Sequence, residues 1–177
     1  GMGSTMSAGA LLIAEVSGSE ALSGMAATMS TIGSAIAAVP LAALATRAGR
    51  APALATGALV ATLGAVVGIV AAVLGWTLLL LAGVVMLGSG TAVNLQARFA
   101  ATDLSEPGRR GRDLSVVVWS TTVGAVLGPN LIGPGDAVGQ LLGLPPLSGV
   151  YLFTIAAQAA AVVVYLVWLR PDPLRLA

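Results

Sequence analysis

Five stretches of this chain, Ala21–Thr46, Ala51–Gly75, Trp76–Ala101, Leu114–Gly133 and Ser148–Leu169, each run 20 residues or more, and a single charged side chain, Arg98, lies among them. About 20 apolar residues, rising about 1.5 Å each, cover the roughly 30 Å of a bilayer's hydrocarbon. Inside hydrocarbon every backbone N–H and C=O must be satisfied within the protein, which leaves helices or a closed barrel. A barrel would read as alternating segments of about ten residues. These runs do not alternate, so helices are expected. Composition agrees: charged residues make up 8% of the chain, against about a quarter of a soluble domain. Mean hydropathy is +0.98. A sixth segment, Met2–Ser17, is apolar but short, and reads as a helix whose beginning is missing. The sequence thus predicts an all-α membrane protein of six transmembrane helices.

The connections differ in chemistry. Ser17–Glu20 is small and acidic, and Gly75-Trp76 is a tight turn. Pro134–Pro146 is a Gly/Pro-rich connection with one charge, Asp136. Arg47 and Arg50 lie between the second and third segments. Arg109, Arg110 and Arg112 lie between the fourth and fifth, and Arg170 and Arg175 follow the sixth. In a six-span chain these three places share one side. The opposite side carries Glu20 and Asp136 and no arginine. Cytoplasmic loops are the ones enriched in Lys and Arg, so both ends of the chain are assigned to the cytoplasmic face of the inner (cell) membrane. Trp76 and Tyr151 fall at the outer boundary and Trp168 at the inner one, where aromatic anchors are common.

Several functions are excluded. The chain has no cysteine and no histidine. That removes disulfides, thiol nucleophiles, His-based triads and His/Cys metal sites. No deep pair of aspartates and no Gly-x-Ser-x-Gly elbow is present, so an intramembrane enzyme is not expected, and no cofactor or metal is implied. Arginines at one membrane face are explained by topology, and nucleic-acid binding is not expected.

Between the second and third segments the string Thr46-Arg47-Ala48-Gly49-Arg50-Ala51 resembles the loop of the major facilitator superfamily at Arg47, Gly49 and Arg50. It departs at Thr46, where the family carries an acid, and at Ala51, where it carries a base. The glycine permits a tight turn. The arginines can cap the C-terminal end of the second helix or pair with acids on a neighbouring helix. The stretch "GAVLGPNLIGP", Gly124 to Pro134, is similar to the family's fifth-helix signature at Gly124, Gly128, Pro129 and Gly133, with Ile132 in place of a glycine. That signature is associated with exporters and antiporters. Ser120, Gly124 and Gly128 form a small-residue stripe of the kind that lets helices approach closely, and Pro129 can kink the helix. Plain packing and a gating role both fit. Gly88, Gly90 and Ala92 match the family's fourth helix, and Asp103…Arg110-Gly111 matches the polar turn after it. Val84 stands where relatives carry an arginine tied to proton coupling.

The resemblance covers essentially the whole chain. It implies the N-terminal six-helix half of a twelve-helix transporter, built as two inverted three-helix repeats; "GMGST" at Gly1 and "GSGT" at Gly88 form a faint internal echo. The implied partners are the lipid bilayer, a C-terminal six-helix half and a small-molecule substrate.

Polar side chains within the bilayer are functional candidates by default. Thr91, Asn94 and Arg98 follow helical spacing and share a face, which Gly88 extends. The resemblance places the fourth helix at the central cavity. Arg98 lies about 33 Å along the helix from Trp76, so it either lines the pathway or snorkels to the inner boundary. Ser115, Trp119 and Thr122 share a face of the fifth segment. Trp119 would stack on a ligand or simply pack. Gln158 reads as an interhelical bond. Glu15 is the one acid within an apolar segment and the proton-coupling candidate; an exposed or capping carboxylate is the alternative. The expected function is export of a small organic or drug-like solute by alternating access. The alternative is a membrane structural or interaction module, including an inactive half-transporter.

Overall fold

Two glycines with positive φ divide the middle of the chain. Gly49 (φ 105) ends one long helix and opens the next, and its N–H donates to Ala45 O at 2.9 Å. Gly75 (φ 64) ends the following helix in a left-handed cap. Its N–H reaches Ala72 O at 3.3 Å and the Trp76 N–H reaches Ala71 O at 3.0 Å. This crossed pair is the usual glycine-closed helix end. The computed structural model describes residues 2–103 and 108–169, with side chains from residue 8 onward. Among these residues all regular structure is helical: α1 (Met2–Ser17), α2 (Glu20–Ser23), α3 (Met25–Ala48), α4 (Arg50–Leu74), α5 (Thr77–Asp103), α6 (Arg110–Asn130), α7 (Ile132–Leu141) and α8 (Val150–Val167).

Four spans are long and apolar enough to cross a membrane: Glu20–Ala48, Arg50–Leu74, Thr77–Asp103 and Val150–Val167. A fifth forms if α6 and α7, bent by 54° to one another, are counted together, and Ala8–Ser17 is a shorter apolar helix. The chain is a multi-pass, all-α membrane protein. One expectation fails here. The Gly/Pro-rich stretch from Pro134 is not a connection but the first turns of α7. Pro134 sits at the third position of that helix. The N–H it lacks would have found no partner there. The actual turn is shorter. It contains Gly143 (φ 69) and Leu147 (φ 63), and Asp136 Oδ1 accepts the Leu147 N–H at 2.6 Å.

Hydrophobic transfer does not hold helices together inside lipid; close packing of small residues does. The backbones of α3 and α5 touch where Gly33 faces the Val85 carbonyl and Gly88 faces the Ser30 carbonyl; a methyl group on either glycine would overlap backbone atoms. Gly88 is thus buried against α3. One apolar cluster gathers Leu12, Ile13, Ala65, Leu80 and Tyr151. The other gathers Leu41, Leu54, Ala92 and Val93. Tyr151 corrects a second expectation. It is fully buried, its ring against Gly68 and its hydroxyl beside Gly9, so it is a core residue and not an interfacial anchor. Helix position suggested the interface, but glycine-made space on two neighbours gives the ring a dry seat. Trp76 and Trp168 remain exposed.

Candidate functional site

The C-terminus of α5 and the N-terminus of α4 meet at one end of the bundle. Arg50 Nε donates to Asp103 Oδ2 at 2.8 Å, with side chains 16% and 19% exposed. Each charge sits at the unfavourable pole of its own helix: a cation at an N-terminus, an anion at a C-terminus. Each is relieved by the other. The pair fixes the Arg47–Arg50 turn and the end of α5, which leads into Arg109–Arg112, at the same end of the molecule. Arg47 is exposed and Gly49 buried. Spacing alone did not name Asp103. Assigning both loops to one side was the signal that could have found it.

Inward from this brace lies a cleft of about 650 Å³ between α5, α6 and α8, with Leu54 of α4 also on its wall. Ala100, Ala101 and Leu169 line it, so the exit of α8 lies at the same end as the brace. The Arg170 and Arg175 that follow lie outside the described residues. Most of the wall is Ala, Gly and Val; the residues with polar groups are Asn94, Ser120, Thr121, Gln158 and Tyr165. The hydroxyls of Ser120 and Thr121 donate to their own helix, to Val116 O at 2.8 Å and Val118 O at 2.6 Å. That leaves the two amides and Tyr165 as the residues best able to engage a solute. Gln158, expected to make an interhelical bond, lines the cleft instead.

The predicted residues divide. Asn94 lines the cleft, and its Oδ1 accepts from Arg98 Nη2 at 3.4 Å. Arg98 is half-buried and is not part of the cleft wall, and its Nε is buried with no hydrogen-bond partner among the described residues. Thr91 is half-buried on α5 and is not part of the cleft wall. Trp119 (70% exposed) and Thr122 point away from the cleft. The Thr122 hydroxyl donates to Val118 O at 3.3 Å. Glu15 is exposed near the end of α1. Of the fifth-helix stripe, Gly124 lines the cleft and Gly128 is buried. A methyl group at Gly124 would touch nothing within 4 Å, so no helix of this chain uses the close approach it offers. Pro129 lies one residue before the end of α6, beside the 54° bend. Gln96 was missed altogether: it is buried on α5 and its Oε1 has no partner among the described residues.

A membrane bundle with its basic turns at one end and a cleft opening among them narrows the comparison. The Major Facilitator Superfamily profile matches residues 1–176. The chain belongs to this superfamily. Two curated relatives from Bacillus subtilis (strain 168) are similar to it. "Uncharacterized MFS-type transporter YddS" is 40% identical over 174 residues, covering 98% of this chain and 40% of that protein. "Uncharacterized MFS-type transporter YdeG" is 37% identical over 177 residues, covering 100% of this chain and 41% of that protein. The chain therefore spans about two fifths of the length of the curated relatives it matches. Both are named as transporters, and superfamily members are not enzymes. No solved structure matches the chain.

Proposed function

We propose that this chain is the N-terminal half of a secondary transporter that exports a small organic solute by alternating access, rocking against a C-terminal six-helix half. The observation that carries the proposal is the cleft: two amides, Asn94 and Gln158, and Tyr165 line a roughly 650 Å³ space whose wall is mostly Ala, Gly and Val. Amides are expensive in hydrocarbon unless they meet a partner or water. Family membership and the share of the relatives' length that is matched support the second half as partner. The side of α6 that faces away from the cleft, with Trp119 exposed, offers that half a surface to approach. The basic end is cytoplasmic by the positive-inside rule. The Arg50–Asp103 pair acts as the inner brace, made when that side is closed.

The test is solute flux in proteoliposomes made with the natural full-length protein, screened with neutral, cationic and anionic aromatic solutes. Efflux of one class, reduced at least about tenfold by Asn94→Ala or Gln158→Ala, is the expected result. Absence of flux for every class, with no solute raising the unfolding temperature, returns the chain to a structural or interaction module.

A further inference from the structure

Arg98 is a cation without a counter-ion among the described residues. No carboxylate pairs with it among the described residues, and Asp103, the acid nearest in sequence on α5, is engaged by Arg50. Its Nε–H is buried and unaccepted. One of its terminal nitrogens leans on Asn94 Oδ1 at 3.4 Å, a weak bond to a neutral acceptor. The position in the last turns of α5 lends the charge some support from the helix dipole, but supplies no acceptor for Nε. A half-buried guanidinium with a spare donor is costly. Its planar fork matches a two-oxygen anion.

Asn94 adds to the case. Its carbonyl oxygen faces Arg98, so its Nδ2 amide is left as a donor, and the residue lies on the cleft wall. Among the described residues the cleft wall carries no acidic side chain. We propose that Arg98 and Asn94 together bind an oxyanion, a carboxylate or a phosphate, at the inner end of α5. The rest of the ligand, apolar, lies along the Ala/Val-lined cleft. This deepens the transport proposal by naming the substrate class, an amphipathic organic anion. The same chemistry would also hold the phosphate of an anionic lipid.

Unfolding of the full-length protein in nanodiscs separates these sources. In phosphatidylcholine discs, benzoate or inorganic phosphate raises the unfolding midpoint and the neutral isostere benzyl alcohol does not, if the anion is a free solute. A rise only on adding phosphatidylglycerol to the disc assigns the site to a lipid headgroup. In either case Arg98→Met weakens the apparent affinity at least about tenfold. Without ligand it leaves the midpoint unchanged or raises it, because an uncompensated charge is gone. Should Arg98→Met not fold, Arg98→Lys and Asn94→Ala decide. Both weaken the response several-fold if the fork and amide bind the anion, and a wild-type response in both overturns the inference. No anion response in the wild type overturns it too. Flux of a neutral solute alone, indifferent to Arg98, would sink the anion site and leave transport standing. Anion binding without any flux would do the reverse.

Discussion

Gly88 and Gly124 both belong to glycine patterns of the superfamily, yet the structure sets them apart. Replacing either by alanine adds one methyl group to a long helix, and intrinsic propensity favours alanine by about 0.8–1 kcal/mol. At Gly124 the methyl meets nothing within 4 Å, so only the propensity gain remains. At Gly88 it overlaps the Ser30 carbonyl and crowds Ser34 N of α3. These are backbone atoms of a packed helix and cannot rotate aside. Relief requires α3 to move away from α5, which also loosens the Gly33 contact with Val85. Overpacking of this kind costs about 1–3 kcal/mol. With the propensity gain subtracted, Gly88→Ala is expected to destabilise by up to about 2 kcal/mol. Gly124→Ala is expected to be neutral, or stabilising by up to about 1 kcal/mol. Thermal or denaturant unfolding of the reconstituted protein, read by tryptophan fluorescence, compares them directly. Equal effects of the two substitutions would refute the claim that backbone contact, and not motif membership, decides what a glycine does here.

Three further outcomes follow from the geometry. Asp103→Asn is expected to change stability by less than about 1 kcal/mol, because loss of the partly exposed ion pair is offset by removal of an anion from the unfavourable end of α5; a double-mutant cycle with Arg50→Gln should still return a favourable coupling of about 0.2–1 kcal/mol. Asp136→Ala strips the acceptor from the Leu147 N–H and should lower stability by about 1–3 kcal/mol, measured by unfolding, with faster hydrogen exchange confined to the turn between α7 and α8. Because the chain has no cysteine, single substitutions can map sidedness without background: Arg109→Cys should react with an impermeant maleimide only in inverted vesicles and Gln140→Cys only in intact cells, and the opposite pattern would overturn the threading.

The spans were legible because apolar length and the glycine-closed turns at Gly49 and Gly75 are one-dimensional signals. The grouping of the basic turns was legible for the same reason, and the Arg50–Asp103 contact ties two of them together in space. What the sequence hid was face. Tyr151 has the position of an interfacial anchor, and only the empty volume at Gly9 and Gly68 makes it a core residue. Pro134 looks like a breaker until its place in a first helical turn is known. Asn94 and Thr91 look equivalent on a helical wheel, but the gap between α6 and α8 puts only Asn94 on the cleft wall.

The same distinction bears on mechanism. In lipid, an exposed apolar side chain carries no penalty, so the bare faces of α6 and α8 do not by themselves call for a partner. An unsatisfied polar atom does carry one. Among the described residues three such atoms are buried; one is the Tyr151 hydroxyl, and the other two, Gln96 Oε1 and Arg98 Nε, lie two residues apart on α5, between the cleft-lining Asn94 and the braced Asp103. Stability alone would favour apolar residues at both positions, since two buried groups without partners weaken a bundle that otherwise closes on glycine and alanine. Their presence on the helix that carries both the brace and the cleft is the pattern expected, on the proposed function, of groups whose partners arrive only part of the time, with a bound solute or a change in helix packing. Alternating access needs such part-time partners: contacts complete in every state would hold the bundle in one of them.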